Sequence, residues 1–232
     1  MQRLRLLLFF LSLLSLKSIA SELPDKLVFA ALPQYLERHH AGQFEDNIVM
    51  QLGEKLGVEV ELYSCPWVRC LKLIETGQAD IIDDLFITKE RATYINYLRP
   101  AFDKQTTGFR YYSIHENITT FADLNGKTVG YLRGHVHYDK FEAADNFTKV
   151  SLLVVEDLVN MMLAERIDVF IAPPSFDLSS FTHVDTQQRI KQQPYEVAID
   201  MPLFLGVSRK SDWTAYSSEL EKAMLEILSA QQ

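Results

Sequence analysis

The chain has 232 residues, of which 23 are Lys or Arg and 31 are Asp or Glu, and its formal net charge at pH 7 is −8. Because the chain is acidic and no stretch concentrates its basic residues, the composition argues against nucleic acid and anionic membrane surfaces as partners. The length lies between that of one large domain and that of two small ones.

The first twenty residues have the pattern of a secretory signal peptide. Arg3 and Arg5 accompany an apolar run from Leu4 to Leu16, and Ser18-Ile19-Ala20 supplies the small residues of a cleavage site. The apolar run is shorter than the roughly 20 residues that a membrane span requires. We therefore predict that residues 1–20 are removed on secretion, with a retained N-terminal anchor as the alternative.

The predicted elements of the first half alternate between strands and helices. In chain order we predict a strand over 27–31, a helix capped by Asp46 and ended by Gly57, a strand over 58–62, a helix that begins at Pro66 after a cap at Ser64 or Cys65 and ends at Gly77, and a short strand at Ile81 and Ile82. This alternation implies a parallel sheet, and two successive isoleucines predict that the last strand has core contacts on both faces.

A second unit of the same kind follows Pro100. We predict strands over 109–114, 128–132, 152–155, 169–172 and 203–207, a short helix over 138–144, a helix over 157–164 and a final amphipathic helix over 213–228. The segment LAERIDVFIA repeats the helix, turn, acid and strand order of ETGQADIID, with Asp168 in the place of Asp80. Two similarly built units would produce this repetition.

The segment over 75–91, ETGQADIIDDLFITKER, places polar side chains directly after a buried strand. In open α/β sheets, ligands bind beyond the carboxyl ends of the strands. The segment resembles the corresponding part of the family 3 periplasmic solute-binding proteins, which have a Gly/Asp-rich turn, a strand and then S/T-x-T-x-E-R. The resemblance covers nearly the whole chain after the signal peptide. It implies an α/β, type II periplasmic binding protein fold with two lobes, each a mostly parallel sheet flanked by helices, and two hinge crossings.

The resemblance also implies a domain division and a function. The first lobe would comprise residues 21–105 and 201–232, and the second lobe, inserted between them, residues 106–200. The implied function is that of a periplasmic, monomeric protein without a cofactor. It would capture a small polar or anionic, amino-acid-like solute between the lobes, and its partner would be an ABC permease or a membrane receptor.

The family motif provides the first candidate ligand-binding residues. In Thr88-Lys89-Glu90-Arg91 the arginine stands where the family binds the ligand carboxylate, and a guanidinium suits bidentate binding of a carboxylate. Asp84 and Phe86 stand where amino-acid-binding members have Gly and Thr. Asp84 could receive a cationic group of the ligand, or it could neutralise Arg91 without any ligand.

Other candidates follow from the same resemblance. Tyr35 and Trp67 lie where the family often holds the ligand between aromatic rings, although a core position is the alternative for Trp67. In the second lobe, Arg133, Gly134 and His135 follow a predicted strand at the loop that the family presents to the ligand. Gly134 would allow a close backbone approach, and the next helix start would offer N–H groups to an anion.

One departure from the family concerns the ligand. Amino-acid-binding members place an Asp after the strand equivalent to 169–172, where it holds the α-amino group, but this chain has Pro173-Pro174 there. We therefore expect a ligand other than an ordinary α-amino acid.

Cysteine and histidine leave two further alternatives. Cys65 and Cys70 are the two cysteines of the chain, and secretion would place them in an oxidising compartment. A disulfide between them requires that Cys65 lie outside the helix that contains Cys70, and both the bonded and the free state stay open. His135, His137 and Asp139 do not supply the converging ligands that a metal site requires, so we predict no metal.

Two other function classes deserve a test. A periplasmic lyase on the same fold would need a general acid or base within hydrogen-bond reach of the leaving group. Asp84 and His135 could serve, but no spacing marks them as a pair, so we predict no enzyme activity. The second class is a soluble protein that senses a ligand for a membrane receptor.

Overall fold

The computed structural model describes residues 23–105, 108–172, 176–181 and 184–231, so the predicted signal peptide lies outside it. The strands are β1 (Lys26–Ala31), β2 (Glu59–Ser64), β3 (Ile81–Leu85), β4 (Ile95–Tyr97), β5 (Asp103–Gln105), β6 (Phe109–Ser113), β7 (Thr128–Leu132), β8 (Thr148–Leu152), β9 (Val169–Ala172), β10 (Lys191–Val197) and β11 (Met201–Ser208). The α-helices are α1 (Pro33–His40), α2 (Ile48–Leu56), α3 (Trp67–Thr76), α4 (Asp139–Glu142), α5 (Val155–Leu163), α6 (Val184–Arg189) and α7 (Ser217–Ala230). Short 3₁₀ helices lie at Arg91–Thr93, Phe121–Leu124, Leu178–Ser180 and Asp212–Tyr216. Within these ranges no helix has both the length and the apolar character of a membrane span.

Two sheets carry the fold, which belongs to the α/β class. The first has the strand order β2-β1-β3-β11-β4 with β5 paired to β11, and the second has the order β10-β6-β9-β7-β8. β1 lies parallel to β2 and β3, and β7 lies parallel to β8 and β9, as the alternation of strands and helices predicts. The remaining pairs, formed by β11 with β3, β4 and β5 and by β6 with β9 and β10, are antiparallel. Both sheets are therefore mixed, which corrects our expectation of mostly parallel sheets: every antiparallel pair includes β6 or β11, the strands next to the two passages of the chain between the sheets.

Helices cover both faces of the first sheet. Alternate residues of β1 point to opposite sides: Phe29 packs in a cluster with α2 and α7, and Ala30 packs in a cluster with α3. The same division separates Ile81 from Ile82, which lie in different clusters and are both fully buried. This confirms the prediction of a strand with core contacts on both faces. The second sheet is built alike, since Phe170 and Ile171 of β9 also lie in different clusters.

The two acids singled out by the repeated segment have the same role in both sheets. Asp80 precedes β3 and accepts a hydrogen bond from the backbone N–H of Val28 in β1 at 2.7 Å. Asp168 precedes β9 and accepts one from the backbone N–H of Thr128 in β7, also at 2.7 Å. Each acid thus joins two neighbouring parallel strands at their amino ends.

Three local predictions are wrong. The cap of α2 is Asn47 and not Asp46, because the side-chain oxygen of Asn47 accepts from the backbone N–H of Val49 at 2.8 Å. Pro66 itself is the capping residue of α3, so neither Ser64 nor Cys65 caps it. The strand predicted over 152–155 lies instead at Thr148–Leu152, where it pairs in register with β7, and α5 begins at Val155.

The chain passes between the sheets at two places that lie side by side. β5 pairs with the first residues of β11, with Gln105 opposite Met201 and Asp103 opposite Leu203. An ion pair between Lys104 and Asp200, 2.9 Å apart, links the two segments. The two passages therefore form one antiparallel pair of strands.

Candidate functional site

Arg91 is a buried cation that bridges the two sheets. It begins the 3₁₀ helix after β3, and only 5% of it is exposed. Its Nη2 donates to the carbonyl oxygen of Gly134, which follows β7 in the second sheet, at 2.6 Å, and its Nη1 donates to the carbonyl oxygen of Phe86 at 3.4 Å. Burial lowers the pKa of the Arg91 guanidinium. None of the ion pairs among the described residues includes Arg91, so its known partners are neutral carbonyl groups.

Trp67 converges on the same carbonyl group. Its Nε1 donates to the carbonyl oxygen of Gly134 at 3.0 Å, and the Arg91 Cζ lies 5.5 Å from the Trp67 ring. Gly134 has φ +78°, and a Cβ built there would lie 3.1 Å from Val68 Cγ2 and 3.3 Å from Trp67 Cδ1. The positive φ and the tight space both favour glycine at this position. We call the convergence of Arg91 Nη2 and Trp67 Nε1 on this oxygen the Gly134 contact.

His135 extends the contact between the sheets. Its ring centroid lies 5.5 Å from that of Trp67. Burial, together with electrostatic repulsion from His137 and Arg91, lowers the pKa of His135 to about 4. A protein at neutral pH therefore presents an uncharged imidazole to Trp67, and the contact does not add a second cation beside Arg91.

A second pair of predicted residues lies at the end of β3. The hydroxyl of Tyr35 on α1 donates to Asp84 Oδ2 at 2.6 Å, and the Tyr35 ring packs on Phe44 with centroids 5.0 Å apart. Asp84 has φ +55°, in the left-handed region that residues other than glycine seldom adopt. Burial raises the pKa of the Asp84 carboxyl, and the Tyr35 hydrogen bond opposes that rise.

Asp83 is a residue that the sequence analysis missed. It is 4% exposed, and its Oδ2 accepts a hydrogen bond from Asn47 Nδ2 at 2.9 Å. Burial raises its pKa well above the ordinary carboxyl value, and the neighbouring Asp84 raises it further. No ion pair among the described residues includes either acid, so Asp84 does not neutralise Arg91 in this way. Two adjacent acids inside the apolar strand IIDDL were the available sequence signal.

Three other predicted residues have local roles. Thr88 Oγ1 accepts from the backbone N–H of Arg91 at 3.1 Å and so supports the turn that carries the guanidinium. Phe86 is half-buried and contributes its carbonyl oxygen, which also accepts from the Tyr97 hydroxyl at 3.3 Å. Arg133 is exposed and donates to Ser151 Oγ, within its own sheet, at 3.0 Å.

Six of the nine predicted ligand-binding residues thus fall into two groups. The structure brings Trp67, Arg91, Gly134 and His135 into contact across the sheets, and it pairs Tyr35 with Asp84 at the end of β3. Among the described hydrogen bonds none joins Asp84 to His135, the two residues considered for acid–base chemistry. Pro173-Pro174, the departure from the family pattern, lies outside the described residues.

Two further observations concern the cysteines next to the site and the possibility of a metal site. Cys65 and Cys70 form a disulfide, with Cα atoms 5.4 Å apart, and both residues are buried. The disulfide fastens Cys65, two residues before α3, to the first turn of that helix, the part of the chain that carries Trp67. In the described part of the chain no group of three His, Cys, Asp or Glu could hold a metal ion. His137 instead shares a hydrogen bond with Glu142, whose Oε1 lies 3.1 Å from its Nδ1.

Comparison with protein families gives a match over most of the chain. Residues 37–230 match the model of the bacterial extracellular solute-binding proteins, family 3. A comparison with curated proteins gave no match.

Many solved structures share the fold. The three described next have a low sequence identity to this chain. The periplasmic binding protein STM4351 of Salmonella typhimurium, described as having high arginine specificity, is 14% identical with a TM-score of 0.70 over 89% of this chain and 94% of that one. An amino acid ABC transporter substrate-binding protein from Streptococcus pneumoniae, bound to L-arginine, is 16% identical with a TM-score of 0.62 over 89% and 90%. The holo form of the protein ArgBP from T. maritima is 15% identical with a TM-score of 0.65 over 88% and 90%. At these identities the likeness establishes the fold.

Proposed function

Because the chain belongs to the family 3 bacterial extracellular solute-binding proteins, we propose that it captures a small polar or anionic, amino-acid-like solute between two lobes. The family and its structural neighbours are solute-binding proteins and not enzymes. The observation that carries the proposal is the meeting of Arg91 and Trp67 from one sheet with the Gly134 loop of the other.

The proposed lobes are residues 21–105 with 201–232, and residues 106–200. The paired passages β5 and β11 support this division, because they lie together and connect the two sheets. A hinge of two short segments allows the lobes to open and close around a ligand. We therefore place the ligand site between the sheets, beside Arg91.

The anionic end of the solute binds Arg91 in this proposal. The guanidinium is buried and bonded to carbonyl oxygens, and no carboxylate among the described residues pairs with it. A ligand carboxylate would replace a neutral acceptor with a charged one, and charge-assisted hydrogen bonds are roughly twice as strong as neutral ones. Trp67 would provide an aromatic wall beside the same group.

A cationic group of the solute binds Asp84 in the same proposal. The carboxyl of Asp84 has the Tyr35 hydroxyl as a partner, and Asp83 behind it has the Asn47 amide. A ligand ammonium at Asp84 would stabilise the ionised carboxylate, against the effect of burial on its pKa. Because Pro173-Pro174 offers no carboxylate in the second lobe, an amine would be held from the first lobe. Arginine-binding neighbours support an amino-acid-like ligand with both charges.

The proposed setting is the periplasm, where the protein would deliver its solute to an ABC importer. The predicted signal peptide and the extracellular character of the family support this location. A pull-down from membranes with and without solute tests the partner: enrichment of an importer permease supports transport, and enrichment of a receptor in its place supports sensing.

The solute class is tested by isothermal titration calorimetry with protein freed of retained solute by unfolding and refolding. The panel contains amino acids, carboxylates and polyamines, and the variants are Arg91→Met and Asp84→Asn. A zwitterionic solute loses affinity with both variants, an anion with Arg91→Met alone, and a polyamine with Asp84→Asn alone. Equal affinity of the wild type and both variants would contradict the proposed site.

A further inference from the structure

The Gly134 contact uses the groups that a ligand anion would need. Arg91 Nη2 and Trp67 Nε1 both donate to one oxygen, at 2.6 and 3.0 Å. A carbonyl oxygen and a carboxylate oxygen are both planar acceptors with two lone pairs, so they suit the same donors. The chain itself therefore supplies an acceptor at the place where the proposed function puts a solute anion.

The contact also joins the two sheets directly. On the first sheet, Arg91 follows β3 and Trp67 begins α3. Gly134 follows β7 on the second sheet. The position of Gly134 leaves little space, since an added Cβ would lie within 3.4 Å of both Val68 and Trp67. The ring of His135 lies beside that of Trp67, with the centroids 5.5 Å apart. The backbone of Gly134 and the ring of His135, from the second sheet, thus contact the start of α3 on the first.

We propose that the Gly134 carbonyl is an internal competitor of the solute: it holds the two lobes closed in the solute-free protein, and a solute anion must replace it on Arg91. The closure is supported by the hydrogen bonds from Arg91 and Trp67 to Gly134, whereas the competition with a solute rests on the proposed function. The apparent affinity for a solute is then the intrinsic affinity multiplied by the fraction of molecules in which the contact is broken.

The strength of the contact sets the expected effect. Hydrogen bonds to charged groups contribute about 1.5–3 kcal/mol, which corresponds to roughly a tenfold to hundredfold change in an equilibrium constant. Removal of the Arg91 guanidinium is therefore expected to shift the ratio of closed to open molecules by this factor. Removal of the Trp67 N–H alone, a neutral donor, is expected to shift it by less.

The experiment is small-angle X-ray scattering on solute-free, refolded protein, with no ligand added. We expect the wild-type curve to fit the closed structure, and we expect the radius of gyration to rise in Arg91→Met and, less strongly, in Trp67→Phe. Circular dichroism confirms that each variant is folded. Trp67→Phe keeps the test decisive should Arg91→Met fail to fold.

Two matched controls separate the contact from general destabilisation. The Arg99 guanidinium lies 5.1 Å from the Phe204 ring, and Trp213 Nε1 donates to the Lys26 carbonyl oxygen at 2.9 Å. Both of these partners belong to the first sheet. Arg99→Met and Trp213→Phe remove the same kinds of group and should leave the radius of gyration unchanged. An open wild type, or wild-type and Arg91→Met curves that superimpose, would overturn the proposal. Because no solute is used, these outcomes are independent of the titrations that test the proposed function.

Discussion

Replacing Arg91 with Met separates the stability of the fold from its ability to bind an anion. Met fills much of the space of the Arg side chain but carries no charge. In molecules that stay closed the Gly134 carbonyl keeps Trp67 as a donor, in molecules that open it is hydrated, and in both the Phe86 carbonyl keeps the Tyr97 hydroxyl. The substitution therefore leaves neither of these acceptors without a hydrogen bond.

The expected loss of stability is small. Two hydrogen bonds from a charged donor contribute about 1.5–3 kcal/mol each, and the contact of the guanidinium with the Trp67 ring adds about 0.5–2 kcal/mol. Against this, burying an ion costs several kcal/mol, and Arg91 is 5% exposed with no carboxylate partner among the described residues. We expect a net loss of about 1–2 kcal/mol, a fall in Tm of about 2–8 °C for a chain of this size.

The expected loss of affinity is much larger. Truncating one partner of a buried, hydrogen-bonded charge pair costs about 2–5 kcal/mol, which is about 30-fold to several thousand-fold in Kd. Differential scanning calorimetry and titration with the solute identified in the panel measure the two quantities on the same preparation. Arg99→Met, at an exposed position, is the control and should change neither. A fall in Tm well beyond 8 °C together with an unchanged Kd would show that Arg91 is structural, and the reasoning would be refuted.

Three further predictions concern the acids and the disulfide. Because the folded-state pKa of Asp83 is raised, wild-type stability should fall as pH rises from about 3.9 through that pKa, and Asp83→Asn should lack this fall. Urea denaturation across pH checks it, and parallel curves for the two proteins would contradict it. Tyr35→Phe removes the hydrogen bond that lowers the pKa of Asp84, so NMR titration of the Asp84 carboxyl should show a higher pKa, and an unchanged value would speak against this bond. Replacing Cys65 and Cys70 with Ala should lower the free energy of unfolding by about 2 kcal/mol, as loop closure over the five-residue separation suggests; chemical denaturation would refute this by giving equal midpoints.

The strands that sequence patterns located best are those buried on both faces. The apolar runs at 128–132 and 169–172 coincide with β7 and β9, whose neighbours on each side are other strands. The edge strand β8 was misplaced because its residues are only partly buried, so the apolar run after it gave the stronger signal. Leu153 within that run is 49% exposed. Apolar character thus located the centre of a sheet and failed at its edge.

The site was predictable where a motif fixed the local chain and unpredictable where tertiary contacts decided. The Thr-x-x-Arg spacing forms a turn in which Thr88 binds the backbone of Arg91, and this is local geometry. The partner of Arg91 is a backbone carbonyl from another sheet, which no side-chain pattern encodes. Asp83 was missed because it lies within the apolar strand β3, whereas Asp84 lies nearer its carboxyl end, beyond which ligands bind in open α/β sheets. Arg133 was chosen for its place in the Gly134 loop, although its side chain turns to Ser151.

The most direct test of solute capture between the sheets is a crystal structure of the protein with the solute that it retains through native purification, identified first by native mass spectrometry. We predict that an anionic group of the solute occupies the position of the Gly134 carbonyl oxygen on Arg91, with the solute enclosed by both sheets. A solute bound elsewhere, with the bond from Arg91 to Gly134 still formed, would contradict the account.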